Sequence, residues 1–294
     1  MNRKAEQERP SPWPAWFCAL AVGVFLLGWL LVSMDIVEQN RNARISRKNV
    51  DEYGLIVSRL SKGRVDSIRK RIRIYDKGLR SNSPGDPFHP MGLDAPRAYA
   101  DLLREVDPSI MGYLVIPAVG LSQPIYYGPP DVVLERGVGH LASTAIPSDL
   151  SGIHTVLFGH SGQDGKLVFD NLDRLSDGDE FSVRILDSTY VYKVSHIGII
   201  APDRLDALEA GYGKNQVTLM TCTPKGINSS RLMVTGDLIS VTGEEPDTQT
   251  KGSAWLLFVT GVPLLAALAG LVAVRRRMGR LEKMIMGMDA KEGE

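Results

Sequence analysis

Two side chains that could perform covalent chemistry lie nine residues apart in the second half of the chain. Cys222 ends the strand-like segment Val217–Thr221, and Arg231 opens the next such segment after a connection rich in Pro, Gly, Asn and Ser. If the two strands pair antiparallel, the connection returns Arg231 to the level of Cys222. A guanidinium beside a thiol favours the thiolate, and its donors can hold a carbonyl oxygen on which negative charge develops. The pair predicts a cysteine nucleophile that attacks a carbonyl group, the alternative for Arg231 being a surface charge at a strand edge.

A thiol nucleophile also needs a partner that exchanges protons with the reacting groups. The five histidines are His89, His140, His154, His160 and His196. His160 follows the apolar run Thr155–Phe158 within a Gly-His-Ser-Gly sequence, so a strand ends there and presents an imidazole on a loop. We take His160 as the candidate base, with His140 and His154 as alternatives.

The cysteine content, the absence of metal-binding motifs and the charge balance limit which other kinds of site the chain can contain. Cys18, the second of two cysteines, lies in an apolar segment where a lone thiol packs as a small apolar side chain. Cys222 is therefore either an inert buried thiol or one retained for its reactivity, and its surroundings favour reactivity. Neither a C-x-x-C pair nor an H-E-x-x-H helix is present, so we predict no metal site and no cofactor. The 34 basic and 34 acidic side chains lack the basic excess typical of nucleic-acid binding.

Two apolar segments, residues 13–34 and 255–274, contain no Asp, Glu, Lys or Arg. Each is close to the roughly 20 residues that a helix needs to cross a bilayer. No small-x-small cleavage motif follows the first segment, which predicts an uncleaved anchor. The basic residues Arg275–Arg277 and Arg280 predict a cytoplasmic C-terminus, and two spans then place the N-terminus there as well. We expect a two-pass protein of the cell membrane whose residues 35–254 lie outside the cytoplasm.

Between these segments the pattern changes from helical to strand-like. Residues 35–80 have helical periodicity with a break at Ser61–Gly63, residues 81–93 form a loop rich in proline, and a short helix is expected from Asp94 to about Val106. Further short helices are expected near residues 168–175 and 205–210. Seven segments are typical of strands: 113–119, 121–127, 155–158, 180–186, 189–200, 216–222 and 231–240. Their lengths and turn spacing favour a closed barrel or a sandwich.

The sequence resembles the sortases at Thr218–Cys222, which reads TLMTC. The sortase signature is TLxTC with an arginine about nine residues later and a histidine well upstream, which matches Arg231 and His160. Gly112–Pro117 and Gly137–Leu141 are similar to the corresponding segments of class C, pilin-polymerising sortases. The resemblance covers residues 112 to 240 densely.

The resemblance implies a mainly β fold, a closed sortase-type barrel of about eight strands with short helices. The domain organisation that follows is a cytoplasmic tail (1–12), a transmembrane helix (13–34), a membrane-proximal helical segment (35–80), a lid loop (81–93), the catalytic barrel (94–240), a linker (241–254), a second transmembrane helix (255–274) and a basic cytoplasmic tail (275–294).

Asp86-Pro87-Phe88 resembles the lid of class C sortases, as the second apolar segment resembles their C-terminal span. The resemblance implies that Asp86 lies against Arg231 and that Phe88 lies over Cys222. Such a lid must move before substrate can enter. The sequence departs from the class after the histidine, where Ser161 replaces an arginine that the class often carries.

The resemblance also implies an activity, that of a cysteine transpeptidase cleaving an LPxTG-like sorting signal between Thr and Gly. Cys222 would form a thioacyl intermediate, His160 would transfer protons, and Arg231 would hold the substrate and its oxyanion. The implied partners are the membrane, LPxTG-type pilin or surface-protein substrates, and an acceptor amine, which in class C is a pilin lysine. The alternatives are a housekeeping sortase that uses a cell-wall precursor amine and an inactive sortase-like membrane scaffold.

Overall fold

The computed structural model describes residues 45–46, 48–79, 85–88, 99, 101–107, 109–162, 168–204, 213–244 and 246, together with 20, 23–29, 270, 272 and 276. They belong to two compact units, Arg41–Lys251 and the combination of Met1–Asn40 with Gly252–Glu294. Most of the predicted spans 13–34 and 255–274 lies outside the described residues. None of the helices in the described part of the chain is both long and apolar enough to cross a bilayer, so the two spans stay predictions.

Eight strands form a closed barrel in the unit Arg41–Lys251, which confirms the mainly β fold. They are β1 (Ile110–Ile116), β2 (Leu121–Tyr126), β3 (Val138–His140), β4 (Ile153–Phe158), β5 (Glu180–Ile185), β6 (Ser188–Ile200), β7 (Asn215–Thr223) and β8 (Ser230–Thr242). Neighbours around the barrel run β1-β2-β3-β4-β7-β8-β6-β5. The β2–β3 and β4–β7 pairs are parallel, and the other pairs are antiparallel. Closure gives each of these eight strands two neighbours, although several are paired on one side over only part of their length.

The barrel interior is filled by the apolar side chains that give these segments their strand character. Leu114, Val156, Leu219 and Val234, from four different strands, have no exposed surface. Burying each such side chain contributes about 1.5 to 3 kcal/mol before the entropy of ordering it is subtracted. Every residue of β1 and β4 is buried, because both faces of these strands are covered.

Two N-terminal helices pack on the barrel. Residues 48–58 are helical (α1), and α2 spans Lys62–Gly78. The break between them was predicted at Ser61–Gly63, and Ser61 is indeed the N-cap of α2, its side chain accepting a hydrogen bond from Arg64 N. In α1, the hydroxyl of Tyr53 donates to Met111 O at 2.7 Å and accepts from Leu186 N at 2.9 Å. These bonds fix α1 to the barrel wall.

The C-terminal turn of α2 is bound to the connection between β3 and β4. Oδ1 of Asp76 accepts a hydrogen bond of 3.0 Å from Ile146 N, and the Tyr75 hydroxyl donates to Ala142 O. Oδ2 of Asp76 is buried and has no hydrogen-bond partner among the described residues. Burial raises the pKa of the Asp76 carboxyl to about 7. This carboxyl group is therefore protonated below about pH 7.

Several predicted boundaries are wrong for local reasons. The first strand starts at Ile110 and ends at Ile116, because Pro117–Val119 turns into a short 3-10 helix. Strand β3, only three residues long, was not predicted. The helix expected near residues 168–175 is reduced to the 3-10 turn Leu172–Arg174, and the one expected from Asp94 has changed to turns and bends by residue 102. The helix at 205–210 lies outside the described residues, as does most of the 81–93 loop.

Hydrogen bonds from Arg184 and Thr189 fix the backbone of Gly243 and Glu244, where the chain leaves the barrel after β8. Nη1 of Arg184 on β5 donates to the carbonyls of Gly243 and Glu244 at 3.1 and 2.9 Å. Thr189 on β6 donates to the same Glu244 carbonyl at 2.6 Å and accepts from Arg184 Nη1 at 2.9 Å. The predicted linker 241–254 therefore begins with the last strand residues of β8 and a fixed segment.

Candidate active site

Strands β7 and β8 place Cys222 and Arg231 opposite each other. The antiparallel register pairs Cys222 with Arg231, and the last pair before the connection is Thr223 with Ser230. The expected return of Arg231 to the level of Cys222 is thus confirmed. Arg231 is completely buried, and Cys222, a free thiol, is 7% exposed. A full positive charge and a sulfur atom therefore share one strand end inside the protein.

The parallel pairing of β4 with β7 brings His160 to the same end. The register runs to Phe158 opposite Met220, and Gly159 N continues it with a 3.2 Å hydrogen bond to Met220 O. Parallel strands advance in the same direction, so His160, two residues beyond Phe158, reaches the level of Cys222, two residues beyond Met220. His160 is partly exposed. Three predicted site residues, one just beyond β4 and the others on β7 and β8, are gathered at one end of the barrel.

The Arg231 guanidinium is held by a carboxylate and two carbonyls. Nε and Nη2 donate to the two carboxylate oxygens of Asp86 at 3.1 and 2.7 Å, a bidentate pair. Nη1 donates to the carbonyls of Asn228 and Ser230 at 3.0 and 2.9 Å. The side chain of Asp86 is itself only 9% exposed. These bonds fix the plane of the guanidinium and compensate its burial.

Phe88 completes the cover over this end of the barrel. Its ring centre lies 5.0 Å from the Arg231 guanidinium carbon, within cation–π range. It lies 6.2 Å from the Phe158 ring, edge to face, and 6.3 Å from the His160 ring. Asp86 thus lies against Arg231 as the lid resemblance implies. Phe88 lies against Arg231, His160 and Phe158, and its expected position over Cys222 stays a prediction. Phe158, an apolar strand-end residue, was not singled out from the sequence.

The electrostatics of Cys222 reflect this covered state. Burial raises the pKa of the Cys222 thiol, the Arg231 guanidinium lowers it, and the Asp86 carboxylate raises it again. The net pKa is above the ordinary thiol value. The activation expected from Arg231 is therefore present but outweighed by burial, and the thiol stays protonated at neutral pH.

The alternative histidines occupy other environments. His140 is buried, with the Tyr99 hydroxyl 2.8 Å from Nδ1 and the Ala145 carbonyl 2.9 Å from Nε2, and burial lowers its pKa to about 4. His154 lies within β4, where Nε2 is 2.7 Å from Thr218 Oγ1. His196 is exposed on β6, and His89 lies outside the described residues. Of the histidines that the structure describes, His160 alone follows the strand end at the level of Cys222.

Comparison with known proteins agrees with this geometry. A Sortase domain model matches residues 114–239. Sortase C-1 from Actinomyces oris is 37% identical, with a TM-score of 0.55, and the match covers 60% of this chain and 99% of that one. Sortase C of Streptococcus pneumoniae, whose structure has been interpreted in terms of catalysis and pilin substrate specificity, is 29% identical with a TM-score of 0.60, over 66% of this chain and 97% of that one.

More distant relatives match a shorter region. Sortase A of Bacillus anthracis is 28% identical over 131 residues, which is 44% of this chain and 60% of that protein. The residues matched by the Sortase domain model, 114–239, contain Cys222, His160 and Arg231. The chain belongs to the sortase family, and its structural neighbours place it with the class C sortases.

Proposed function

We propose that this protein is a cysteine transpeptidase that cleaves an LPxTG-like sorting signal between Thr and Gly and transfers the acyl group to an amine. The observation that carries the proposal is the register that sets Cys222 opposite Arg231, with His160 at the same barrel end. A nucleophile, a proton carrier and a cation that can hold an oxyanion are the groups that acyl transfer requires.

In the first half-reaction the Cys222 sulfur attacks the Thr carbonyl carbon, and the thiol proton passes to neutral His160. Collapse of the tetrahedral intermediate breaks the peptide C–N bond, and protonated His160 gives its proton to the departing Gly amine. Arg231 stabilises the oxyanion through Nε and Nη2, the donors that Asp86 occupies in the closed lid. Nη1 remains bound to the Asn228 and Ser230 carbonyls, so the guanidinium keeps its orientation when the lid opens.

In the second half-reaction an acceptor amine attacks the thioester carbonyl. Neutral His160 takes a proton from the incoming amine and passes it to the departing Cys222 sulfur as the C–S bond breaks, which regenerates the thiol. The acceptor that we favour is a pilin lysine, because the closed lid of Asp86 and Phe88 and the class C neighbours both support pilus assembly. Transfer to a cell-wall precursor amine is the second candidate, supported by the similarity to sortase A of Bacillus anthracis.

The cell-membrane location belongs to the same proposal. Two uncharged apolar segments, 13–34 and 255–274, and the basic residues after position 274 support a two-pass protein with both termini cytoplasmic. The catalytic unit would then meet its substrates outside the cytoplasm. Accessibility of single introduced cysteines to a membrane-impermeant reagent in intact cells tests this orientation.

The activity is tested on the full chain with an LPxTG-type peptide, and the thioacyl adduct is measured by mass spectrometry. Wild type and Cys18→Ala, which removes the other thiol, are expected to form the adduct, whereas Cys222→Ala is not. Adduct formation by Cys222→Ala at the wild-type level would refute the assignment. Parallel reactions with a pilin-derived lysine peptide and with a wall-precursor peptide amine distinguish the two acceptors, since the preferred amine gives the faster product formation.

A further inference from the structure

Where the backbone pairing of β4 with β7 ends, side-chain hydroxyl groups continue to link the two chain segments by hydrogen bonds. Beyond the pair Phe158 and Met220, the Thr221 hydroxyl donates to the Gly159 carbonyl at 2.7 Å, and the Ser161 hydroxyl donates to the Cys222 carbonyl at 2.6 Å. The first bond joins the residues that precede Cys222 and His160. The second joins the residue that follows His160 to Cys222 itself.

The turn at residues 159–162 is fixed on its other sides as well. The His160 carbonyl accepts from Phe169 N at 2.9 Å, and Gly162 N donates to an Asp170 carboxylate oxygen at 2.7 Å. Gly162 has a φ of +67°, and a Cβ there would lie 2.8 Å from the Lys225 Cβ. The turn that carries His160 is therefore fitted closely against the loop that follows Cys222.

Ser161 is the buried link between the two halves of the site. It is 4% exposed, so its hydrogen bond to the Cys222 carbonyl is shielded from competing water. This hydrogen bond ends on Cys222, the residue that carries the nucleophilic sulfur. Loss of this hydrogen bond would change the distance between the His160 imidazole and the Cys222 sulfur, although neither of these two side chains is itself altered.

We propose that Ser161 is a positioning residue, whose hydroxyl sets the distance between His160 and Cys222 by holding the Cys222 carbonyl. The inference rests on the proposed transpeptidase function and extends it. Proton transfer between an imidazole, a thiol and an amine depends steeply on such distances. Loss of the hydroxyl slows the chemical step, whereas the binding of the sorting signal is kept.

Three variants of the full chain test the proposal. Ser161→Ala removes the hydroxyl, Ser161→Thr retains it, and Ser46→Ala is the matched control. Ser46 is equally buried, and its hydroxyl donates to the Ser122 carbonyl at 2.8 Å, where no residue of the candidate site takes part. Steady-state kinetics with an LPxTG-type peptide and thermal unfolding are measured for each variant.

The positioning role predicts a split between kcat and KM. In Ser161→Ala we expect kcat to fall about 10- to 100-fold while KM stays within about twofold of wild type. Ser161→Thr is expected to recover kcat to within about threefold of wild type. Ser46→Ala is expected to lower the melting temperature as Ser161→Ala does, but to leave kcat unchanged.

Two results would overturn the proposal: a wild-type kcat in Ser161→Ala, or a loss of kcat that Ser161→Thr does not recover. If wild type turns over no peptide, the proposed function has failed and the positioning role is read from alkylation of Cys222 by iodoacetamide. The pH at which the labelling rate rises is then expected to be higher in Ser161→Ala than in wild type. An unchanged pH profile would also overturn the proposal.

Discussion

Replacement of Asp86 by Asn tests the closed lid. Asp86 accepts two hydrogen bonds from the completely buried Arg231, and its carboxylate raises the pKa of the Cys222 thiol. Asn has nearly the same shape but no charge, and its single oxygen can accept only one of the two bonds. The substitution should therefore weaken closure of the lid and lower the thiol pKa together.

The size of the effect follows from the bonds that are lost. A hydrogen bond to a charged group contributes about 1.5 to 3 kcal/mol, and Asp86→Asn removes one such bond and the charge that strengthens the other. Since about 1.4 kcal/mol corresponds to a factor of ten, the open fraction of the lid should rise about 10- to 100-fold. The Phe88 contact with Arg231 is retained, which keeps the effect within this range.

The assay is the rate of iodoacetamide labelling of Cys222 as a function of pH. We expect Asp86→Asn to raise the labelling rate at pH 7 about 10- to 100-fold. We also expect the midpoint of the labelling rate against pH to shift to lower pH. The matched control is Asp149→Asn, since Asp149 also receives hydrogen bonds from an arginine, Arg73, but in an exposed pair. Such a surface pair contributes about 0 to 1 kcal/mol, so labelling should not change. A wild-type labelling rate in Asp86→Asn would refute the closed lid, and an unshifted midpoint would refute its electrostatic effect on the thiol.

Two further predictions concern stability. Burial raises the pKa of Asp76 from 3.8 to about 7, so the stability that its protonated form confers is complete below about pH 4 and is lost as the pH rises through 7. Asp76→Asn keeps the acceptor for Ile146 N, and denaturant unfolding should show that it removes most of the decline in unfolding free energy between pH 5 and pH 8, which is about 3 kcal/mol. Burial lowers the pKa of His140 from 6.5 to about 4, so stability is lost as the pH falls through this interval, and His140→Ala should abolish that loss. His140→Ala should also lower the unfolding free energy at pH 7 by about 2 to 4 kcal/mol while leaving transpeptidation intact, and a loss of turnover without a loss of stability would make His140 a site residue.

The pairing of Cys222 with Arg231 could be predicted from sequence because it depends on a short connection. Two strand-like segments joined by a few turn-forming residues can hardly pair in any other way than antiparallel. The helix break at Ser61 is equally local, since a serine that caps a helix is visible in the sequence. The barrel itself needed the family resemblance, because the spacing of seven strand-like segments suits a sandwich as well.

The choice among the histidines depends on distant contacts. His140 and His160 both border apolar runs, and the difference between them is made by Tyr99, which is remote in sequence and binds the His140 ring. The parallel pairing of β4 with β7 is also non-local, so the level of His160 relative to Cys222 could not be derived from spacing. The burial of Cys222, which raises the thiol pKa more than Arg231 lowers it, likewise depends on the tertiary packing of the whole barrel.

The clamp formed by Arg184 and Thr189 at Glu244 has a mechanical consequence. It holds the segment that follows the C-terminal end of β8. Arg231 lies near the other end of this strand, eleven residues or about 35 Å from Thr242. A pull on the segment after Glu244 would load these bonds first and then the two ladders of β8, both in shear. Force applied to the chain beyond Glu244 would thus be resisted by these bonds before it deformed the geometry around the sulfur.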